Sequence, residues 1–184
     1  MVSQTIKVVC LGDSITWGFP HGAEYSWVSM LAETVDGEFI NQGINGNTTT
    51  DMLRRFDRSV LRYNPTHVII MGGINDVIWG DSFDRITTNL ETMIRIAKKR
   101  GIRVILGTPT AVDQPSMERL LVRIRTWIKD YAGQNDIPII DFAAAFRDSE
   151  GGVRKDLLLA DGAHPTRAGY HALFDVIDKH IFAK

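Results

Sequence analysis

The sequence has little of what would indicate a disulfide-rich, membrane-spanning or nucleic-acid-binding protein. Its one cysteine, Cys10, excludes an internal disulfide. No apolar run approaches the roughly 20 residues of a membrane-spanning helix. A net charge of −1 without a basic stripe argues against a nucleic-acid partner. Polar residues (Ser3, Gln4, Lys7) interrupt the N-terminus before a secretory pattern forms, so we expect a cytoplasmic location unless a signal peptide has been removed.

Signatures of cofactor and metal binding are also missing. No Gly-x-Gly-x-x-Gly or Walker loop occurs in the sequence, which argues against a nucleotide-binding module. No Asp-x-Asp pair follows the first predicted strand, whereas metal-dependent phosphoryl transfer needs clustered carboxylates. We therefore predict no cofactor and no bound metal. Internal repeats, low-complexity tracts and linkers are absent as well, which predicts a single domain over residues 1–184.

What the chain does have is a regular alternation of strand and helix patterns. Helical periodicity predicts helices over 25–35, 51–63, 83–99, 117–131 and 166–181. Short apolar runs predict five strands, over 6–10, 38–41, 67–71, 103–107 and 137–142. Strands separated by helices favour an α/β fold with a parallel sheet covered on both faces.

Polar clusters follow the predicted strands. Gly12-Asp13-Ser14 comes after the first strand, a glycine-rich loop over 43–47 after the second, and Asn75-Asp76 after the third. A further pair, Asp161 and His164, lies before the last helix. Because the carboxyl ends of parallel strands share one edge of the sheet, and ligands bind beyond that edge, these clusters predict a site there.

Ser14 and His164 are a candidate nucleophile and base. A serine hydroxyl needs an adjacent base, and histidine suits that role near neutral pH. Of the five histidines, only His164 has a carboxylate three residues before it, Asp161, and a proline after it. That carboxylate would hold the imidazole in the tautomer that faces the serine. The alternatives are that Ser14 caps a helix, and that Asp161 caps a turn while His164 merely precedes a helix.

Acyl transfer also needs donors for the oxygen that gains negative charge in the transition state. The candidates are the backbone N–H groups of Ser14 and Gly46 and the side-chain amide of Asn75. Gly46 and Asn75 could equally be ordinary turn residues. Asp13 and Asp76 are predicted to orient the neighbouring loops by hydrogen bonds rather than to react.

Four segments together resemble the SGNH, or GDSL, hydrolase family and occur in the family's order. They are Gly12-Asp13-Ser14-Ile15, Asn45-Gly46-Asn47-Thr48, Gly73-Ile74-Asn75-Asp76 and Asp161-Gly162-Ala163-His164. The chain departs from the family pattern at two of these positions: Ile15 replaces the usual leucine, and Asn47 stands where aspartate is frequent.

The resemblance implies a flavodoxin-like fold with strand order 2-1-3-4-5 and an ester-hydrolysing activity. It also implies roles for individual residues. Ser14 would be the nucleophile, His164 the base and Asp161 its orienting partner, while Gly46 and Asn75 would donate to the oxyanion.

The connections around the predicted crevice, 17–24, 77–82 and 108–115, are too short to fold into a lid. Aromatic side chains of Trp17, Phe19 and Trp79 are candidates for its walls. A shallow crevice predicts a small-molecule ester substrate with an acetyl to butyryl acyl group, and a bulkier alcohol such as a sugar. The open alternatives are a lysophospholipase or acyl-thioesterase, a phosphatase that uses Asp13, and an inactive carbohydrate-binding protein of the same fold.

Overall fold

A five-stranded parallel sheet forms the centre of the computed structural model, which describes residues 5–182. The strands are β1 Lys7–Gly12, β2 Glu38–Gly43, β3 His67–Met71, β4 Arg103–Gly107 and β5 Ile139–Ile140. Their order is β2-β1-β3-β4-β5, and every neighbouring pair is parallel. The α/β fold and the strand order expected from the sequence are therefore confirmed.

Helices cover both faces of the sheet. They are α1 Ser14–Trp17, α2 Trp27–Thr34, α3 Thr49–Arg54, α4 Phe56–Ser59, α5 Ile74–Trp79, α6 Phe83–Lys99, α7 Pro115–Gln134 and α8 Arg167–Asp175. Alternate side chains of the strands point to opposite faces, so each strand contributes to two apolar cores. In β1, Val9 and Leu11 pack with α3, α4, α6 and α7, whereas Val8 and Cys10 pack with α2 and α8. Double-sided burial explains why the strand sequences are continuously apolar rather than alternating.

The helix predicted over 51–63 is interrupted. It begins earlier, at Thr49, because the Thr48 side chain caps it and forms a capping box with Asp51. It breaks at Arg55, and after the short helix α4 a 3₁₀ turn covers Leu61–Tyr63. The prediction of one continuous helix is wrong. It placed a charged side chain, Arg55, on the apolar stripe, and the hydrogen bonds that this side chain makes, from Nε and Nη2, go to residues outside the helix.

Asn75 and Asp76 lie in the first turn of α5 and not in a flexible loop. Gly73, with a φ of +120°, lets the chain leave β3 and enter this helix directly. The Asp76 carboxylate is fully buried and accepts hydrogen bonds from the backbone N–H and the hydroxyl of Thr49. These bonds hold α5 against α3. The predicted loop over 77–82 is correspondingly helical as far as Trp79.

Two predicted elements near the end of the chain are shorter than expected. Strand β5 has only two residues, since it is an edge strand where Pro138 has no N–H to donate and a 3₁₀ helix starts at Phe142. The last helix begins where predicted, capped by Thr166, but ends at Asp175.

The longest connection, 141–166, carries Asp161 and His164 to the carboxyl edge of the sheet. Two antiparallel bridges, Arg147 with Val153 and Leu158 with Pro165, fold it back on itself. Among the helices described for residues 5–182, none combines the length and apolar character needed to cross a bilayer.

Candidate active site

The topology places a crevice between the ends of β1 and β3. The chain moves from β1 to β2 on one side and then continues with β3 on the other side of β1. Such a reversal of direction leaves a gap beyond the carboxyl ends of the two strands, and ligands bind in that gap in open α/β sheets. Ser14 follows β1 and Asn75 follows β3, so both lie at this point.

The hydroxyl of Ser14 faces the ring of His164. Ser14 Oγ lies 3.0 Å from His164 Nε2, and the residue is 7% exposed. The alternative that Ser14 caps the following helix is wrong, because the Asp13 side chain performs that function by accepting the N–H of Ile15 at 2.9 Å. As the first residue of α1, Ser14 also has a backbone N–H without a partner within the helix.

Asp161 holds both the ring of His164 and the turn that carries it. Its Oδ2 accepts the Nδ1–H of His164 at 2.6 Å. Its Oδ1 accepts the backbone N–H groups of Ala163 and His164, each at 2.9 Å. Partial burial opposes ionisation of Asp161, but these hydrogen bonds outweigh it and hold the pKa of the carboxyl below its usual range. The turn-capping role and the partnership with His164 therefore occur together.

Neighbouring segments fix the turn around Asp161 and His164. The Gly162 carbonyl accepts the N–H of Asp113, at the end of the loop after β4, at 2.7 Å. The Phe19 ring lies 4.6 Å, centroid to centroid, from the ring of His164. The Phe19 carbonyl in turn accepts the buried hydroxyl of Tyr170 at 2.7 Å. Sequence reasoning missed Tyr170, because its position on α8 looked like any other core position.

Gly46 lies in a tight turn at the mouth of the crevice. The N–H of Asn47 donates to the Ile44 carbonyl at 3.1 Å, and Gly46 occupies the third turn position with a φ of +78°. That backbone region favours glycine. A Cβ at position 46 would meet no atom within 4 Å, so conformation and not crowding explains the glycine. The N–H of Ile44 donates to the Gly12 carbonyl at 3.1 Å, which ties the turn to the end of β1.

The side chain of Asn75 is held by the same turn. Its Nδ2 donates to the Asn47 carbonyl at 3.0 Å. A primary amide has two hydrogens, so the second remains available to a bound ligand in a direction fixed by the first. The segments that carry Ser14, Gly46 and Asn75 are thus joined by hydrogen bonds at this edge of the sheet.

The three aromatic residues predicted to wall the crevice have different surroundings. Phe19 is half-buried against His164, and Trp17 is half-buried at the end of α1. Trp79 is 74% exposed and lies one helical turn beyond Asn75 on α5. Sequence reasoning missed two exposed apolar side chains: Ile78, beside Trp79 on α5, is 53% exposed, and Ile44, in the turn that carries Gly46, is 43% exposed. Over residues 5–182, no group of three His, Cys, Asp or Glu side chains converges closely enough to hold a metal ion.

Asp13, the buried neighbour of Ser14, has a carboxyl group with a raised pKa. Burial raises the pKa of its carboxyl to about 6, against the opposing effects of the Ile15 N–H and the His164 charge. The native state therefore binds this proton more tightly than the unfolded chain, and the free energy of unfolding falls as pH rises through this interval. The expected loss is about 3 kcal/mol between pH ~4 and ~6.

We expect Asp13→Asn to remove this part of the pH dependence, since the amide oxygen can still accept the Ile15 N–H but cannot ionise. Urea unfolding of both proteins from pH 4 to 7.5 tests this, because the other groups titrate in both and cancel in the difference. As pH rises, the free energy of unfolding of Asp13→Asn should increase relative to that of the wild type. Parallel curves would show that Asp13 is not the group responsible.

Comparisons with known proteins agree with this geometry. The model of the GDSL-like lipase/acylhydrolase family matches residues 10–172. An arylesterase from Vibrio mimicus is 34% identical over 105 residues, which cover 54% of this chain and 52% of that protein. An acetylxylan esterase from Geobacillus stearothermophilus is 28% identical over 197 residues, which cover 91% of this chain and 90% of that protein.

Solved structures show the same fold. A protein from Desulfitobacterium hafniense, assigned to the G-D-S-L lipolytic family, has a TM-score of 0.86 at 30% identity, covering 94% of this chain and 97% of that one. The Geobacillus acetylxylan esterase has a TM-score of 0.81 at 27% identity, covering 95% and 93%. Two further structures of that esterase are of catalytic mutants, one with serine and one with histidine replaced by alanine. Because the family model spans most of its length, this chain belongs to the GDSL-like lipase/acylhydrolase family.

Proposed function

We propose that this chain is a single-domain hydrolase that uses Ser14 to cleave carboxylic esters with small acyl groups, without a metal ion. The observation that carries the proposal is the unbroken chain of hydrogen bonds from Ser14 through His164 to Asp161 at the sheet edge. The catalytic serine and histidine of the acetylxylan esterase support the same assignment.

In the proposed mechanism, Ser14 Oγ attacks the ester carbonyl carbon while His164 Nε2 takes the hydroxyl proton. The negative carbonyl oxygen is bound by the N–H groups of Ser14, Gly46 and Asn75. When the bond to the alcohol oxygen breaks, Nε2 returns the proton to that oxygen. A water molecule then attacks the acyl-enzyme, with Nε2 again as the base. As the acyl bond to Ser14 breaks, Nε2 gives that proton to Oγ, which releases the carboxylic acid and free Ser14.

The surroundings of Ser14 favour a small acyl group. The Ile44–Asn47 turn is short and its Gly46 is exposed, and α5 leaves β3 with no intervening loop long enough to cover the crevice. The Phe19 ring against His164 closes one side of the space near the reacting atoms. A longer acyl chain would extend into water, and each methylene left there forgoes about 0.8 kcal/mol of binding.

The exposed indole of Trp79 favours a bulkier alcohol. It is exposed one helical turn beyond Asn75. We assign it to the side of the crevice on which the alcohol portion of the ester would leave. An aromatic face with one side in water suits the apolar face of a sugar ring. The acetylxylan esterase among the relatives supports an acetylated carbohydrate as the substrate class to examine first.

The proposed preference for small acyl groups can be tested by measuring kcat/KM on p-nitrophenyl esters from acetate to palmitate. We expect kcat/KM to be highest from acetyl to butyryl and to fall by octanoyl, because added methylenes gain no contact in the transition state. Rates in EDTA should match those without it. A maximum at ten carbons or more would indicate a long acyl groove and favour a lysophospholipase or thioesterase.

A second prediction concerns the oxyanion donors. Asn75→Ala is expected to lower kcat by about 10²- to 10³-fold with KM little changed, because the lost bond strengthens only in the transition state. Asn45→Ala, which alters an exposed asparagine next to Gly46, serves as the matched control. A change confined to KM would instead make Asn75 a substrate-binding residue.

A further inference from the structure

Arg55 is a buried cation beneath the oxyanion donors, and nothing in the proposed mechanism uses it directly. It lies at the break between α3 and α4 and is 2% exposed. Burial lowers the pKa of its guanidinium to about 10, so the group stays protonated near neutral pH. A buried charge must be compensated by hydrogen bonds or by an opposite charge.

The contacts of Arg55 join three separate segments of the site. Its Nη2 donates to the Gly12 carbonyl at the end of β1 and to the Gln42 carbonyl near the end of β2, each at 2.9 Å. Its Nε donates to Asn47 Oδ1 at 2.7 Å. The rigid fork of a guanidinium satisfies such diverging acceptors at once, which a lysine ammonium on a flexible stem does not.

One residue separates Arg55 from the side chain of Asn75. Arg55 holds the side chain of Asn47, and the carbonyl of Asn47 holds the Asn75 amide. Asn47 also follows Gly46, the other proposed donor, in the same tight turn. The helix that carries Asn75 is fixed separately, by Asp76 and Thr49. Loss of Arg55 would therefore loosen the two donors without displacing α5.

We infer that Arg55 is a positioning residue for the oxyanion hole, acting through Asn47 on both Gly46 and Asn75. The inference rests on the proposed serine mechanism. It predicts an effect on kcat more than on KM, because the donors engage fully only in the transition state. A displacement of about 1 Å in a catalytic group can lower the rate by about 10²-fold, which sets the scale of the expected loss.

The experiment measures kcat, KM and melting temperature on p-nitrophenyl acetate. We expect Arg55→Lys and Asn47→Ala each to lower kcat by about 10- to 100-fold with KM within about twofold. In the Asn75→Ala background, Arg55→Lys should have a clearly smaller effect, because one of the donors it positions is already gone. Arg54→Lys, at the exposed neighbouring position, is the matched control and should match the wild type.

The inference is overturned if Arg55→Lys keeps the kcat of the wild type or changes only KM. It is also overturned if Arg55→Lys lowers kcat by the same factor in the Asn75→Ala background as in the wild type. Should Arg55→Lys fail to fold, Asn47→Ala decides the matter by the same split between kcat and KM. Ser14→Ala separates this test from that of the mechanism. Activity that survives in Ser14→Ala overturns the proposed function, whereas a serine-dependent enzyme indifferent to Arg55 and Asn47 overturns only this inference.

Discussion

Ser14→Ala is expected to lower kcat on p-nitrophenyl acetate by about 10⁴- to 10⁶-fold, the scale seen when the nucleophile of a serine triad is removed. The substitution deletes one oxygen, and Oγ makes no capping bond that would be lost, because Asp13 caps α1. The fold should therefore survive, and the melting temperature should change little. Residual activity would come from the oxyanion donors and substrate binding alone.

A fluorophosphonate probe gives an independent readout of the same residue. It should add one label per chain to the wild type and none to Ser14→Ala, because the phosphonylated atom would be Ser14 Oγ. Ser116→Ala, at an exposed position near the start of α7, is the control and should keep both the label and the activity. A label that persists in Ser14→Ala, or that maps to another serine, would contradict the assignment.

His164→Ala is expected to lower kcat/KM by several orders of magnitude, since no other base lies at hydrogen-bond distance from Ser14 Oγ among residues 5–182. Asp161→Asn should fold, because its carbonyl oxygen can still accept the N–H groups of Ala163 and His164. It should nevertheless lose up to about 10⁴-fold in kcat, because an amide favours the wrong imidazole tautomer.

The pH profile adds a check on the same pair. Since hydrogen bonds hold the pKa of Asp161 below its usual range, its carboxylate stays ionised across the neutral range. The rise of kcat/KM with increasing pH should therefore report loss of the proton from the base. It should disappear in His164→Ala but persist in Asp13→Asn, which removes the other carboxyl that titrates near the site. His171→Ala, on the exposed side of α8, is the control. Turnover near that of the wild type in His164→Ala would contradict the triad.

The sequence determined the elements whose boundaries depend on local chemistry. Strands β3 and β4 and helix α6 begin and end at the predicted residues, because each is a strongly patterned run bounded by helix- or strand-breaking residues. The parallel sheet followed from the alternation of strands and helices. The four family segments indicated which residues to examine at its carboxyl edge.

Features that depend on contacts between residues distant in sequence could be known only from the tertiary structure. The break at Arg55 is stabilised by carbonyls of β1 and β2, and α5 is held against α3 by Thr49. No pattern within either segment contains those partners. A charged residue on an otherwise apolar helical stripe was the one available signal for Arg55.

The same division holds within the site. Sequence spacing can bring Asp161 to His164, because three residues of a tight turn suffice. It cannot bring Ser14 to His164, which are 150 residues apart and meet only because the sheet orders its strands β2-β1-β3-β4-β5 and the 141–166 connection folds back over the edge. Residue types and local turns are properties of the chain, whereas the 3.0 Å between Oγ and Nε2 depends on how the two apolar cores pack against the sheet.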